Sequence, residues 1–245
     1  MDFACAINAG KIYCWGNNTD LYSLFDLAPG NYVNPVEITS AGSDNVKVTI
    51  GRLHGCVIKT DKTVWCTGYN GSGSLGLGDT VNRTGLVQVP GVTNVDELIT
   101  SSYGTCARSG ASTLKCWGQY AGTGSASNTL SPFDVTGFTN ITAIRGGYHR
   151  LCLIDNGAAY CWGFNRQDQF GRNDYLTNDY HFAPVALTSL NALGAVTDIE
   201  PRGAYGLCGK VGTNWYCSGM DVSGQLGTDK KPFRLAPISV GPLVD

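Results

Sequence analysis

The most informative segment of the chain is Cys152-Leu153-Ile154-Asp155-Asn156-Gly157-Ala158-Ala159-Tyr160-Cys161-Trp162-Gly163. Its two cysteines are nine positions apart, and the midpoint between them falls on Asn156-Gly157. Asn-Gly strongly favours a two-residue type I′ turn, because both central positions of that turn need a positive φ. The segment therefore predicts a β-hairpin in which the two cysteines lie opposite each other and form a disulfide.

The spacing recurs along the chain, whose ten cysteines fall into five close pairs. The pairs are Cys5 and Cys14, Cys56 and Cys66, Cys106 and Cys116, Cys152 and Cys161, and Cys208 and Cys217. The first members of successive pairs are 51, 50, 46 and 56 residues apart. A period of about 50 residues lies in the range of propeller blades, so we expect five structural repeats.

The midpoints of the other pairs also predict turns. Ala9-Gly10 and Gly212-Thr213 suit two-residue turns, the latter of type II′, whereas the wider pairs centre on Asp61 and Ala111 and predict three-residue loops. Directly opposed residues at a non-hydrogen-bonded position have Cα atoms about 4.5 Å apart, which a disulfide accepts. We therefore expect one disulfide in each repeat.

The alternatives for the cysteines are a metal site and free core thiols. Zinc sites need closely spaced cysteines that converge on one ion, and this chain has none. Asp79 and Asp229 are candidate calcium ligands, but loop aspartates more often bond their own backbone. We expect no metal and no cofactor. An even, locally paired cysteine set indicates an oxidising compartment, so the protein is predicted to be extracellular, at a cell surface or periplasmic.

Composition narrows the classes of partner. Charged residues make up 15% of the chain, the net charge is -2, and no cluster of Lys and Arg is present. A nucleic-acid partner is therefore not expected. No apolar run reaches the length of a membrane span, and the first residues do not resemble a signal peptide, so we expect no membrane insertion.

Each repeat continues beyond its second cysteine in the same order. A Gly two residues after that cysteine, as in Trp162-Gly163, is followed by a polar loop and then by a short strand that usually starts with Pro, such as Pro184-Val185-Ala186-Leu187. An alternating run such as Val46-Lys47-Val48-Thr49-Ile50 then leads to the next cysteine. Four short antiparallel strands in each repeat predict an all-β propeller with five blades.

The chain resembles the regulator of chromosome condensation family of β-propellers. The resemblance rests on Gly51 and His54 before a cysteine strand, on the Trp-Gly steps, and on loops such as Asp221-Val222-Ser223-Gly224-Gln225-Leu226-Gly227. It covers essentially the whole chain, and a cysteine pair in every blade resembles the secreted bacterial branch. Members of the family usually have seven blades, and the best known is an exchange factor for the small GTPase Ran. The resemblance implies a propeller fold and leaves the function open.

Residues 1–245 are expected to form one propeller domain, excised from a longer extracellular protein whose remainder is a partner. The chain ends after Pro237-Ile238-Ser239-Val240, which we expect to complete the blade begun at the N-terminus and so to close the ring. Only nine residues link this strand to Cys5 across the join, so one strand there is predicted to be short or missing. A partial arc that pairs with another chain is the alternative.

No catalytic motif is recognised. The three histidines lie in three different repeats, and neither a nucleophile elbow nor a phosphate-binding loop is present. We therefore predict that the protein is not an enzyme.

The candidate binding surface is the fourth repeat, which has the longest loop and the most aromatic residues. The predicted ligand-binding residues are Phe164, Asn165, Arg166, Asp168, Tyr175, Asp179, Tyr180 and His181. Phe170 and Phe182 add to the aromatic content, and flat rings beside planar polar groups suit sugar or protein ligands. The competing interpretation is that these rings fill the space between blades, the role that we expect for Trp15, Trp117 and Trp162.

Together these features predict an extracellular recognition or adhesion module that binds a glycan or a protein on a cell surface. The alternatives are a secreted inhibitor that binds a protein, as in β-lactamase-inhibiting propellers of this family, and an exchange-factor-like regulator of a small GTPase.

Overall fold

The computed structural model describes residues 3–18, 24–172, 179–201, 206–224, 226 and 233–241. Within these residues the fold is all-β, with five antiparallel sheets that follow one another along the chain. The prediction of an all-β fold with five repeats is confirmed.

The strands are assigned to the sheets in chain order. The first sheet contains β1 (Phe3–Asn8), β2 (Lys11–Asn18) and β3 (Gly30–Glu37); the second contains β4 (Asn45–Ile50), β5 (His54–Lys59), β6 (Val64–Gly68) and β7 (Arg83–Gln88). The third contains β8 (Glu97–Thr100), β9 (Gly104–Ser109), β10 (Thr113–Gly118) and β11 (Thr129–Asp134); the fourth contains β12 (Ile141–Gly147), β13 (Arg150–Asp155), β14 (Ala158–Phe164) and β15 (Tyr180–Ala186). The fifth contains β16 (Val196–Glu200), β17 (Gly206–Val211), β18 (Asn214–Met220) and β19 (Phe233–Gly241).

Helical structure is limited to short connections. They are two 3₁₀ turns, Leu24–Asp26 and Thr39–Ala41, and one turn of α-helix, α1 (Thr188–Asn191). None of these described helices is long and apolar enough to cross a membrane.

The chain divides into two compact units, each with its own apolar core. Residues 1–121 and 126–136 form the first unit, which contains the first three sheets, and residues 122–125 and 137–245 form the second. In the first unit Leu75, Leu98 and Trp117 are buried in one cluster, and in the second Ile154 and Phe170 are buried in another. The prediction of one domain over the whole chain stays a prediction.

All five predicted disulfides are present. Each joins the two strands of its cysteine hairpin, at positions that the strand register places directly opposite each other. The Cα atoms of every pair are 4.1 Å apart, close to the separation of a non-hydrogen-bonded cross-strand pair.

The predicted hairpin turns are confirmed. Asn156 and Gly157 have φ of 50° and 75°, as a type I′ turn requires, and Ala9 and Gly10 have φ of 50° and 79°. Gly212 has φ of 59°, whereas Thr213 is not in the left-handed region, as expected for a type II′ turn.

The glycine of the Trp-Gly step has a local structural reason. Gly163 has φ of 102°, and a Cβ atom at this position would lie 2.2 Å from the carbonyl oxygen of His149. The pairing of β14 with β15 shifts register between Cys161 and Gly163. The corresponding glycines Gly16, Gly68, Gly118 and Gly219 also have positive φ beside a register shift. A side chain is therefore excluded at the point where the second cysteine strand bends toward its loop.

The proline-bearing strands are the outer strands of their sheets. They extend further than the sequence suggested, because Pro184 lies within β15 and Pro237 within β19 rather than at their first residues. A proline is tolerated there because its missing N–H group faces the open edge of the sheet.

The assignment of the C-terminal strand to the first blade is wrong. The described residues of β19 pair with β18 in the fifth sheet, where Ile238 lies opposite Cys217. The alternating run that precedes each first cysteine pairs with that cysteine's strand, as β4 does with β5. The described part of the first sheet lacks this inner strand, so the predicted shortage of one strand is found at β1.

Side chains of the first unit connect neighbouring sheets. The indole Nε1 of Trp117 donates to the Ser74 carbonyl oxygen at 2.9 Å, in the loop that follows β6. The Thr105 hydroxyl also donates its hydrogen to the Ser74 carbonyl oxygen. Because that hydrogen is already used, the Thr105 hydroxyl oxygen accepts a hydrogen bond from Nε2 of His54, at 3.0 Å. His54 is fully buried and its Nδ1 has no hydrogen-bond partner. Burial lowers the pKa of His54 from 6.5 to about 4.

His54 is expected to make the protein acid-sensitive. The unfolded chain takes up a proton near pH 6.5 and the folded chain only near pH 4, so stability falls between these values as the pH is lowered. The loss attributable to His54 is at most about 3 kcal/mol. It is measured as the difference in urea unfolding free energy between wild type and His54→Gln at about pH 7, 5 and 4. An equal pH dependence in both proteins would contradict this prediction.

The disulfides are expected to differ in their rate of reduction. Cys56–Cys66, Cys106–Cys116 and Cys152–Cys161 are buried at both ends, whereas Cys5 and Cys208 are only partly buried. Thiol–disulfide exchange requires a thiolate to reach a sulfur atom, so the partly buried disulfides should be reduced first. The test is limited reduction of the native protein, followed by alkylation and peptide mass spectrometry. The Cys5–Cys14 and Cys208–Cys217 pairs should be labelled before the other three. Uniform labelling of all five pairs would be the contrary result.

Candidate functional site

The predicted site lies at one end of the fourth sheet. At this end β14 ends at Phe164, β15 begins at Tyr180, and the turn between β12 and β13 contains Tyr148 and His149. Phe164 pairs with Tyr180, and its N–H donates to the carbonyl oxygen of His149 at 2.9 Å. The long loop and the short turn are therefore held together by backbone hydrogen bonds.

Asn165 holds the long loop in shape. Its side chain is fully buried, and its Oδ1 accepts a hydrogen bond from the Phe170 N–H at 2.9 Å. Its own N–H donates to the Asp179 carbonyl oxygen at 2.8 Å, and its carbonyl oxygen accepts from the Asp168 N–H at 2.9 Å. Asn165 thus positions a core phenylalanine and cannot reach a surface ligand in this conformation.

Equivalent residues do the same in two other sheets. The Oδ1 atom of Asn70 accepts from the Leu75 N–H, and that of Asp221 accepts from the Leu226 N–H, both at 2.9 Å. The residues whose N–H groups are bound, Leu75 and Leu226, are buried, as Phe170 is. The recurrence assigns Asn165 to the fold of the repeat rather than to the ligand.

Asp168 is also a structural part of the loop. It is fully buried, has φ of 52°, and accepts a hydrogen bond from the Arg172 N–H on Oδ1 at 3.2 Å. Its carbonyl oxygen accepts from the Gly171 N–H at 2.9 Å. The predicted residues Asn165 and Asp168 therefore stabilise the loop from its buried side and are not part of its exposed surface.

The partly exposed feature is an aromatic platform, which we define as Phe164, Tyr180 and Phe182; Tyr180 is exposed, and the two phenylalanines are half-buried. The rings of Phe164 and Tyr180 meet edge to face with centroids 5.5 Å apart, and those of Tyr180 and Phe182 are nearly parallel, 12° apart in orientation and 6.1 Å between centroids. Tyr180 is 40% exposed. The Phe182 carbonyl oxygen accepts from the Gly124 N–H at 2.9 Å, within the same compact unit.

A charged pair lies beside the platform. The guanidinium Nε of Arg166 is 3.9 Å from Oδ2 of Asp179, and the two side chains are 68% and 52% exposed. An ion pair as exposed as this contributes little to stability. Its guanidinium and carboxylate groups are therefore accessible to a ligand at little structural cost.

The two remaining predicted residues are His181 and Tyr175. His181 pairs with Gly163, and its ring packs against the buried Phe170 ring with centroids 5.5 Å apart, so it supports the platform from the core side. Tyr175 lies outside the described residues.

Tyr148 was not among the predicted ligand-binding residues. It is an exposed aromatic residue, and its ring lies edge to face against His149 with centroids 4.3 Å apart. The order of the strands could have located Tyr148. Alternate connections of an antiparallel sheet lie at the same end, so the β12–β13 turn that contains Tyr148 lies at the same end as the β14–β15 loop.

Asp79 was a candidate calcium ligand, and its oxygens are occupied by the protein itself. Oδ1 accepts from the Val81 N–H and from Asn70, and Oδ2 accepts from the Arg83 guanidinium at 2.7 Å. The Val81 N–H and the Arg83 side chain lower the pKa of Asp79. Asp79 therefore forms a turn. Across the described parts of the chain, no group of three or more His, Cys, Asp or Glu side chains lies in a metal-binding arrangement.

The second unit also contains an apolar cavity of about 190 Å³ on the fifth sheet. It is lined by Glu200, Cys208, Trp215, Cys217 and Val240. This cavity shares no residue with the aromatic platform and offers few polar groups to orient a ligand.

The chain is similar to proteins of known family. A family model described as "Regulator of chromosome condensation (RCC1) repeat" matches residues 46–74, which include β5 and β6. The ultraviolet-B receptor UVR8 of Arabidopsis thaliana is 26% identical over 187 residues, which cover 68% of this chain and 40% of UVR8.

The same fold is found in solved structures of Prp20, the RCC1 protein of yeast. A structure of Prp20p from Saccharomyces cerevisiae superposes with a TM-score of 0.77 at 16% identity, and covers 98% of this chain and 61% of that one. Prp20 bound to Kap60 superposes with a TM-score of 0.75 at 19% identity, and covers 98% of this chain and 60% of that one. The predicted propeller fold is confirmed, and the chain spans less than two thirds of the length of these relatives.

The role of Asn165 can be tested by two substitutions. Asn165→Ala removes the acceptor of a buried N–H group and should lower the unfolding free energy by about 1–3 kcal/mol. Asn165→Asp retains the acceptor, as Asp221 does in the fifth sheet, and should lose less. Urea unfolding measures both. Equal losses in the two variants would argue against the hydrogen bond as the cause.

Proposed function

We propose that this chain, which is built of propeller repeats of the RCC1 type, is an extracellular recognition or adhesion module that binds a glycan. Its fold suits a ligand-binding or regulatory module. The observation that carries the proposal is the exposed aromatic platform beside the Arg166–Asp179 pair. Both features lie where the loop from β14 rejoins the sheet at β15. Binding residues are found disproportionately on loops that a rigid scaffold positions.

The chemistry of the platform suits a sugar. One face of a pyranose ring presents C–H groups, which pack against the electron-rich face of an aromatic ring, and the hydroxyl groups at its edge need planar donors and acceptors. Tyr180 supplies the ring face, the Arg166 guanidinium supplies donors, and the Asp179 carboxylate supplies acceptors. Asn165 and Asp168 act indirectly in this proposal, because they fix the loop that carries Arg166.

The disulfides support the proposed location. All ten cysteines are paired, and no free thiol is present. Disulfides persist in oxidising compartments and are rare in the cytosol of mesophiles, so five of them suit a secreted, cell-surface or periplasmic protein.

A protein ligand is the second candidate. Prp20 has been solved bound to Kap60, and the binding properties of Prp20p to Gsp1p and histones have been described. Tyr and Arg are also the residues that most often dominate protein interfaces, so Tyr180 and Arg166 suit this role as well. An inhibitor that binds a protein belongs to this candidate, whereas an exchange-factor-like role draws on fold similarity alone.

The glycan proposal is tested on an array of glycans with the oxidised protein. Tyr180→Ala should weaken binding to a selected glycan at least about tenfold, a loss of about 1.4 kcal/mol. Phe133→Ala is the matched control, because Phe133 is 41% exposed on the outer strand of the third sheet and lies outside the platform. Arg166→Ala should also weaken binding, and a cooperative urea unfolding transition in all three variants should show that they remain folded.

Two outcomes would contradict the proposal. Absence of any selective glycan would direct the search to a protein ligand, which is sought by cross-linking at the surface of target cells with the same variants. A selective glycan whose binding is unchanged by Tyr180→Ala would place the site elsewhere on the protein.

A further inference from the structure

The four strands of the fourth sheet are aligned at the end that carries the aromatic platform. One row of residues that lie opposite one another crosses the whole sheet there, and it consists of Gly147 of β12, Arg150 of β13, Gly163 of β14 and His181 of β15. Neighbouring strands lie about 4.8 Å apart, so the row spans about 14 Å from β12 to β15.

Every position one residue beyond this row carries a ring. These residues, which we call the aromatic strip, are Tyr148, His149, Phe164 and Tyr180. Tyr148 and His149 form the turn between β12 and β13, whereas Phe164 and Tyr180 are an opposed pair of β14 and β15. The strip therefore extends the platform from one side of the sheet end to the other.

Contacts hold the strip together. The Tyr148 ring lies edge to face against His149, and the Phe164 ring edge to face against Tyr180, with centroids 4.3 and 5.5 Å apart. The Phe164 N–H joins the two pairs by donating to the His149 carbonyl oxygen at 2.9 Å. Tyr148 and Tyr180 are 43% and 40% exposed at the two ends, and the two residues between them are half-buried. A ligand can therefore reach both ends.

The fold of the repeat does not require rings at these positions. In the second sheet the equivalent residues are Arg52, Leu53, Tyr69 and Asn82. In the third sheet they are Ser102, Tyr103, Gln119 and Asn128. Each of these sheets forms the same row with a single aromatic residue beyond it. The rings of the fourth sheet are therefore more than the strands and turns need, which points to a role in binding.

We propose that the aromatic strip binds a linear, flat oligosaccharide, a proposal that rests on the glycan-binding function proposed above. A single sugar ring is similar in size to one aromatic side chain, so a monosaccharide on Tyr180 leaves Tyr148 uncovered. The length of the strip, about 14 Å, corresponds to roughly three linked pyranose rings. A chain of that length contacts both exposed ends at once.

The linkage follows from the shape of the strip. Glucose units joined through equatorial bonds, as in cello-oligosaccharides, form an extended chain with C–H groups on both faces of each ring. Such faces pack against aromatic rings along a straight path. The Arg166–Asp179 pair lies next to Tyr180, because Asp179 precedes it in the chain, so the polar contacts are concentrated at this end. The Tyr148 end adds ring contacts only.

The test is calorimetric titration of the intact, oxidised protein with cello-oligosaccharides of increasing length. Kd for cellotetraose should be at least about tenfold lower than for cellobiose, because contacts at Tyr148 add to those at Tyr180 within one ligand. Cellohexaose should gain little more, since the strip has ended. Malto-oligosaccharides of the same lengths are the control ligands. Their axial bonds curve the chain, so their affinity should increase much less with length.

Substitutions at the far end separate this proposal from the glycan proposal. Tyr148→Ala should abolish the gain from cellobiose to cellotetraose and leave cellobiose binding unchanged, because the charged pair anchors the short ligand at the Tyr180 end. Tyr148→Phe retains the ring and should retain the gain. Tyr180→Ala should weaken binding of both ligands. Phe133→Ala, on the outer strand of the third sheet, should change neither.

Four results would overturn the proposal. They are equal affinity for cellobiose and cellotetraose, an undiminished gain in Tyr148→Ala, loss of the gain in Tyr148→Phe, and an equal gain in the malto-oligosaccharide series. Failure of every cello-oligosaccharide to bind would overturn it as well. The glycan proposal fails only if the array also yields no selective glycan whose binding depends on Tyr180, so the two failures are distinguishable.

Discussion

The structure depends on one constraint, the covalent link between directly opposed residues of the two strands of each cysteine hairpin. In every sheet the linked Cα atoms are 4.1 Å apart, so each disulfide fixes a non-hydrogen-bonded pair. That single choice sets the direction of every backbone group in the hairpin. It turns the N–H and C=O groups of the first cysteine toward the inner strand and those of the second cysteine toward the outer strand. A one-residue slip would exchange buried and exposed faces and is excluded by the covalent bond.

A second constraint acts where the hairpin opens into its loop. The glycine after the second cysteine adopts a positive φ, and the outer strand shifts register beside it. A buried Asn or Asp two residues further on, such as Asn165 or Asp221, then anchors an apolar residue of the loop in the core. Because the fold occupies these positions, the proposed recognition falls to neighbouring residues that no such hydrogen bond draws into the core. Arg166, Asp179 and Tyr180 are the exposed residues of this kind in the fourth sheet.

Much of the fold could be predicted because the repeat places related residues symmetrically about a turn. Cysteine spacing gave the disulfides, and the midpoints gave the turns at Asn156-Gly157 and Ala9-Gly10. Spacing does not encode which neighbour a strand pairs with, so β19 was assigned to the wrong sheet. The site was predicted less well. Asn165 and Asp168 are polar residues of a loop and look like surface residues in the sequence, whereas hydrogen bonds to main-chain N–H groups draw them inside.

The proposed site at the fourth sheet separates the groups that recognise from the groups that hold them in place. A ligand there would meet side chains, so its specificity would follow from the identity of Tyr180, Arg166 and Asp179. These side chains are positioned by main-chain hydrogen bonds, through the pairing of Phe164 with Tyr180 and the bond from the Asn165 N–H to the Asp179 carbonyl oxygen. Substitution of an exposed side chain can therefore alter recognition one residue at a time and leave the backbone of the loop in place.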